Sequence, residues 1–209
     1  MSHVPRHVRH TGAMAHVEPS FTVVLVGDAD ICESLAGPIR ESESLLLTGV
    51  VRPEEAASTV VGRAPDVVVL VEAGSADSAG LVELGASLGR ALPATRFLLV
   101  AEGSPADPGA YRDAWIGGVV AREGDVPLVD AIEWLAHGEG VLDPGLAAAV
   151  LARHEAGGSS VPLTPTEHEV LRRLAAGDSA DVLAAEYAVS PRLVRLHAGG
   201  ALARLHPIA

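Results

Sequence analysis

The chain has 209 residues, 48% of them hydrophobic, and carries 27 acidic against 15 basic side chains for a net charge of −12. That length holds one medium domain and one small one, and a single cysteine, Cys32, excludes an internal disulfide framework. With no apolar run near the ~18 residues that span a bilayer and no signal-peptide pattern, the expectation is a soluble cytoplasmic protein with no membrane partner.

Residues 1–19 hold His3, His7, His10 and His16 without a cysteine or carboxylate at ligand spacing. This is the pattern of a disordered leader, with Met14 an alternative start, and not of a metal site. From Phe21 onward, short apolar runs alternate with segments of helical periodicity. Strands are expected over 22–26, 45–51, 67–71, 97–100 and 118–120. Helices are expected over 30–41, 53–62, 80–91 and 126–137, with a short, weak one over 110–114. Strands so uniformly apolar belong in a parallel sheet covered on both faces. The expected fold is α/β: a doubly wound five-stranded domain over 20–139, then a small all-α domain. Cys32, just past the first strand, reads as a buried small hydrophobe.

Residues 140–161 read as a linker. Pro144 opens a short helix through Leu151, and Glu155 to Ser160 has the composition of a flexible joint between two domains able to move independently.

Residues 162–209 form a helix-turn-helix pattern. Thr164 can cap free N–H groups, Pro165 sits at the first helical position and Glu167 completes a capping box. Val170, Leu171, Leu174 and Ala175 make one apolar face, with Arg172 and Arg173 off it, and Gly177 ends the helix. Asp178 or Ser179 caps a second helix whose Val182, Leu183, Ala184 and Ala185 keep its buried side small. Ser190 and Pro191 start a third helix, on which Val194 points inward while Arg192, Arg195 and His197 share the outward side. That is how a recognition helix enters the major groove.

The residues Leu163-Thr164-Pro165, Glu167, Glu169-Val170-Leu171, Leu174 to Gly177, Ser179, Leu183-Ala184, Val189-Ser190, Val194 and His197 resemble the LuxR-type DNA-binding domain of NarL/FixJ response regulators. The resemblance implies a cytoplasmic transcription regulator, not an enzyme, with double-stranded DNA as partner. Arg192, Leu193, Arg195, His197 and Arg204 are the expected DNA-binding residues. Three departures stand out: Asp181 where the family is basic or polar, Leu193 where it has Thr, and Gly199-Gly200, which weakens the helix by about 1 kcal/mol per glycine. The chain stops at Ala209, where the family adds a fourth helix that pairs two such domains. Self-association is therefore expected through the first domain, on the face of the 110–114 helix, the fifth strand and the 126–137 helix, giving a homodimer or a heterodimer with a related regulator.

The first domain, through Gly138-Glu139-Gly140-Val141-Leu142-Asp143-Pro144, resembles a response-regulator receiver. In that family the first strand ends in two acids for Mg²⁺, the third in a phosphate-accepting Asp, the fourth in Thr or Ser, and the fifth in Lys. Here the corresponding residues are Gly27-Asp28, then Val71 or Glu72 according to whether one counts forward from Pro65-Asp66 or back from Gly80-Leu81, then Ala101 and Arg122. The chain contains no lysine at all. A receiver-like domain of this kind implies a degenerate phosphorylation pocket, no metal and no cofactor, and phosphorylation-independent behaviour set by dimerisation or by a small-molecule ligand. Glu72 and Arg122 read either as solvated residues at strand ends or as a fixed charge and its partner imitating a phosphorylated state.

Asp28, Asp30 and Glu72 lack a nucleophile with a positioned base, so no catalytic residue is expected. His137, His154 and His168 have no ligand spacing. The leading expectation is an atypical DNA-binding regulator. The alternative is a non-DNA-binding interaction subunit, a partner or antagonist of a related regulator, favoured by Asp181, Leu193, the glycine pair and the balance of five acids against five arginines from Leu163 onward.

Overall fold

The computed structural model describes residues 21–74, 78–102, 116–123, 126–142, 144–157 and 162–204. The leader histidines and the expected 110–114 helix lie outside the described residues. The first domain runs β1 (Phe21–Val26), α1 (Ala29–Glu41), β2 (Leu45–Val51), α2 (Pro53–Arg63), β3 (Val67–Val71), α3 (Ser78–Ala91), β4 (Arg96–Ala101), β5 (Ile116–Ala121) and α4 (Leu128–Ala136). Its five strands are all parallel, in the order β2-β1-β3-β4-β5.

The period of two along each strand divides the apolar residues between two faces. Val24, Val26, Val68, Leu70, Phe97 and Leu99 pack with Ala56 and Val60 of α2 and Leu88 of α3. Val23, Leu25, Val67, Val69, Leu98 and Val100 pack on the other face with Ile39 of α1 and Ile132 of α4. At the start of the sheet Asp66 fixes the β1–β3 register, accepting from the Thr22 amide at 2.8 Å and its hydroxyl at 2.7 Å. The doubly wound fold expected from the sequence is the fold observed.

The second domain contains α5 (Pro144–Glu155), α6 (Pro165–Ala175), α7 (Ala180–Tyr187) and α8 (Pro191–Ala203). The capping box forms: the Thr164 amide donates to Glu167 at 2.8 Å, and the Glu167 amide donates to the Thr164 hydroxyl at 3.2 Å. Gly177, at φ +95°, takes the left-handed conformation just past α6. Of the two candidate caps for α7, Ser179 accepts from the Val182 amide, and Ser190 caps α8 through the Leu193 amide. Only Leu183 and Ala184 of α7 are buried, while Val182 and Ala185 are exposed. The expected apolar side of α7 is thus narrower than its composition suggested, because an eight-residue helix meets its neighbours over barely one turn.

One expectation for residues 140–161 is corrected. The helix there runs to Glu155, past Leu151, and its Leu146, Ala147 and Val150 are buried in the same cluster as Val170, Leu171 and Val194. It is part of the helical core, not a spacer. The two domains touch in this structure. Residues after α4 run beside β5, with the Val119 amide donating to Val141 at 2.8 Å, and the Gly140 amide donates to the carbonyl of Arg195 on α8 at 2.9 Å. A Cβ at Gly140 would lie 2.5 Å from the Gly199 nitrogen, and one at Gly199 2.7 Å from the Gly140 nitrogen. Gly199, costly inside a helix, is what lets α8 touch the backbone of the first domain.

Candidate functional site

At the carboxyl ends of the strands, where a doubly wound sheet places its site, the cleft is open and is lined by Gly27, Asp28, Arg52, Glu54, Val71 and Leu81. Gly27 closes β1 against β3: a Cβ there would lie 2.7 Å from the Val71 carbonyl oxygen, 3.0 Å from Val71 Cβ and 3.1 Å from Cys32 Sγ. An acid at Gly27 therefore has no room. Val71, not Glu72, faces Gly27 and lines the open cleft of about 430 Å³ above it, so the forward count is the geometric one. Cys32 is fully buried, and burial pushes its thiol up to about 11, with Asp28 and Glu33 adding to the effect. This is the environment of an inert thiol. Asp28 spends a carboxylate oxygen capping α1, accepting from the Asp30 amide at 3.0 Å and the Ile31 amide at 3.3 Å.

These residues do not fit Mg²⁺, which takes near-octahedral oxygen ligation. No group of three His, Cys, Asp or Glu side chains able to hold a metal occurs among the described residues. Ala101 is buried at the end of β4, and its carbonyl accepts from the Arg122 amide at 2.8 Å. The reading of Glu72 and Arg122 as solvated strand-end residues is corrected. The Glu72 amide continues the sheet by donating to Val100 at 3.0 Å, and its side chain is buried. Arg122 donates to the Glu72 backbone carbonyl and not to its carboxylate. Among the described residues, Glu72 Oε1 and Arg122 Nε have no hydrogen-bond partner.

The expected DNA-binding residues are not brought together on one outward face. They divide around two buried carboxylates. Glu139 takes Arg195 at 2.6 Å and Arg192 at 3.3 Å, and the Arg195 guanidinium stacks 3.9 Å from the centre of the Trp134 ring. Its side chain is only 15% exposed, so the expectation that Arg195 faces outward is corrected: Glu139 and Trp134 of the first domain cover it. Glu167 takes Arg204 at 3.1 Å. Burial opposes ionisation of Glu167, but the Thr164 amide and hydroxyl, with Arg204 and His197 nearby, bring its carboxyl below the ordinary range. His197 is about 140° around the helix from Arg192, at 100° per residue, and does not share its face. Leu193 is exposed, as are Val182, Tyr187, Val189 and Leu196.

The other two arginines, on α6, are also occupied. Arg172 pairs with Glu169 at 2.6 Å, and Arg173 with Asp178 and with Glu186 at 2.8 Å. All five arginines from Leu163 onward therefore hold carboxylates of the same chain. Asp181 pairs with none of them. The three histidines set aside as ligands have ordinary partners: His137 packs edge-on against Phe21, His154 meets the Ala201 carbonyl at 3.1 Å, and His168 lies 3.6 Å from Glu155.

Sequence reasoning missed Glu139 as the clamp on α8. Its only signal is a lone carboxylate between Gly138, which has φ +81°, and Gly140.

No protein-family model matches this sequence, and no curated protein matches it either. Among solved structures, the chain is similar to a complex of the two-component response regulator RcsB with DNA, at 19% identity and a TM-score of 0.53, over 89% of this chain and 92% of that one. It also aligns with RcsB from Salmonella enterica serovar Typhimurium bound to promoter DNA with a phosphomimetic (20% identity, TM-score 0.49, 89% and 92% covered). A third alignment is with the response regulator ChrA of a heme-sensing two-component system (23%, 0.47, 85% and 86%). At such identities the likeness to the RcsB–DNA complex is one of fold: a five-stranded parallel domain followed by helices. Among the described residues no helix is long and apolar enough to cross a membrane.

Proposed function

We propose that this chain is an atypical, phosphorylation-independent transcription regulator of the NarL/FixJ response-regulator type, binding double-stranded DNA through α8. The observation that carries the reading is the helix-turn-helix itself: α6 with its capping box, the Gly177 stop, the Ser179 and Ser190 caps, and α8 with Arg192 and Arg195 in its first half. Independence from phosphorylation is supported by Gly27 and Val71 at the strand ends, where a side chain at Gly27 would meet the Val71 carbonyl oxygen, and by a chain without lysine. The shared fold of an RcsB–DNA complex is consistent with it. In the docked arrangement Arg192 and Arg195 answer to Glu139, so DNA binding requires α8 to leave that carboxylate. A dimer formed through β5 and α4 would supply the second half-site that so few cations need.

One observation favours the second reading, an interaction subunit that pairs with a related regulator. Every arginine from Leu163 onward is paired with a carboxylate of the same chain, while Val182, Tyr187, Val189, Leu193 and Leu196 are exposed. The deciding experiment is genome-wide chromatin immunoprecipitation of the intact protein, of Glu139→Gln, and of Glu139→Gln with Arg195→Ala, the neutral amide keeping the last from burying an unpaired acid. The regulator reading expects discrete sites, stronger in the first variant and lost in the second. Equal, featureless recovery from all three supports the interaction subunit.

A further inference from the structure

Between the two domains lies a pocket of about 380 Å³, within the size range of small-molecule sites. Its walls come from both sides of the seam. Val119, Trp134 and Val141 belong to the first domain, and Leu174, Val194 and Ala198 to the helices. Most of this lining is apolar. Three charged side chains also reach the wall, Arg195, Asp178 and Asp181. Arg195 is held by Glu139 and stacked on Trp134, and Asp178 is held by Arg173. Asp181, exposed in the first turn of α7, has no ion-pair partner among the described residues, so the rim of the pocket carries one unpaired carboxylate. This is also the residue at which the sequence departs toward acid from the family it resembles.

We propose that the seam is a binding site for a small amphiphilic amine, its apolar body between Val141, Val194 and Trp134 and its ammonium group at Asp181. An apolar enclosure rejects a hydrated ion but accepts a hydrocarbon body, and an unpaired carboxylate at its rim selects the sign of the attached charge. The protein's net charge of −12 draws cations toward it in the same sense. Because both domains furnish the walls, the pocket exists only while α8 is docked, and an occupant binds that arrangement and no other. By linkage it holds the Gly140 amide on the Arg195 carbonyl and Arg195 on Glu139. Occupancy of the site does not depend on whether α8 reads DNA, and the test below contains none.

The test titrates the full-length protein by calorimetry with 4-phenylbutylamine, and with 4-phenylbutyrate as the same body of opposite charge. Backbone amide exchange is followed at Gly140. The amine should bind and the carboxylate should not. Asp181→Asn should weaken the amine at least tenfold, and Val126→Trp, which fills the mouth from an exposed position, should abolish binding; Glu54→Gln, an acid outside the pocket, should change nothing. The bound amine should slow exchange at Gly140 in the parent protein and not in Val126→Trp. Circular dichroism establishes that each variant is folded. Absence of amine binding, equal binding of both probes, or binding unaffected by Asp181→Asn and Val126→Trp would overturn the proposal.

Discussion

The strand-end cleft and the face of α8 both present little free charge, and for different physical reasons. At the strand ends Asp28 caps α1 and Glu72 is buried, while the Gly27 Cβ position is filled, lying 2.7 Å from the Val71 carbonyl oxygen. On α8 the charges remain, but Arg192 and Arg195 are engaged by a single carboxylate 4% exposed. A filled site stays filled after any one substitution, because space, acceptor and counter-charge must be restored together. A paired site reopens when one partner is neutralised. The first is a property of the core, and the second of a contact between two domains.

The largest expected effect tests the filled site. Val71→Asp puts a carboxylate where the residue is 1% exposed, and a buried charge without a partner costs about 3–5 kcal/mol. Urea unfolding should show that loss, and acetyl phosphate with Mg²⁺ should leave both the parent and the variant unlabelled. Stable phosphate on either would end the contrast.

Next in size is the paired site. Glu139→Gln keeps the shape of the clamp and removes its charge, so the fraction of molecules with α8 undocked rises, and apparent DNA affinity rises with it. About a tenfold gain, roughly 1.4 kcal/mol, is expected in fluorescence anisotropy at low salt. Adding Arg195→Ala to this variant should reverse the gain. If Arg195 meets phosphate, the slope of log K against log salt should flatten by about 0.9; if it reads a guanine, one base position should relax instead.

A smaller effect tests whether the frame of the helix-turn-helix holds independently of its charges. Thr164→Ala removes the cap of α6 and should cost about 1 kcal/mol, read as a lower Tm with DNA affinity per folded molecule unchanged.

The smallest effect is one of pH. The Arg172 guanidinium holds the Glu169 carboxyl down at about 2, and Glu186 and Glu33 are lowered by Arg173 and Arg40 in the same way. A carboxylate depressed in the folded state stabilises the fold fully above its ordinary value, 4.5 for Glu169, and that contribution disappears as pH falls through the folded value. Tm should therefore decline gradually between about pH 4.5 and pH 2, for exposed pairs and hence modestly. In Glu169→Gln the decline should be shallower over the same interval.

The strands were legible because each is a short, continuous apolar run, and β2 and β3 match their expected limits of 45–51 and 67–71 residue for residue. The caps were legible because Thr164, Ser179 and Ser190 act on amides three residues away. The place of helix 144–155 in the helical core was not legible because periodicity does not reveal which helices cover Leu146 and Val150. The burial of Glu72 was not legible because it depends on neighbouring segments such as the strand of Val100, 28 residues distant in the chain.

By itself the sequence determined the α/β core, the helix-turn-helix with its caps, and the absence of lysine from the strand ends. All of these rest on local periodicity, capping chemistry or residue identity. Only the tertiary structure decided that Val71 faces Gly27, that Glu139 holds Arg192 and Arg195, that Gly199 meets Gly140, and that a pocket lies in the seam with Asp181 in its wall. Those facts depend on pairs of residues some tens of positions apart. Their approach is fixed by which faces pack, and no local pattern in the chain encodes it.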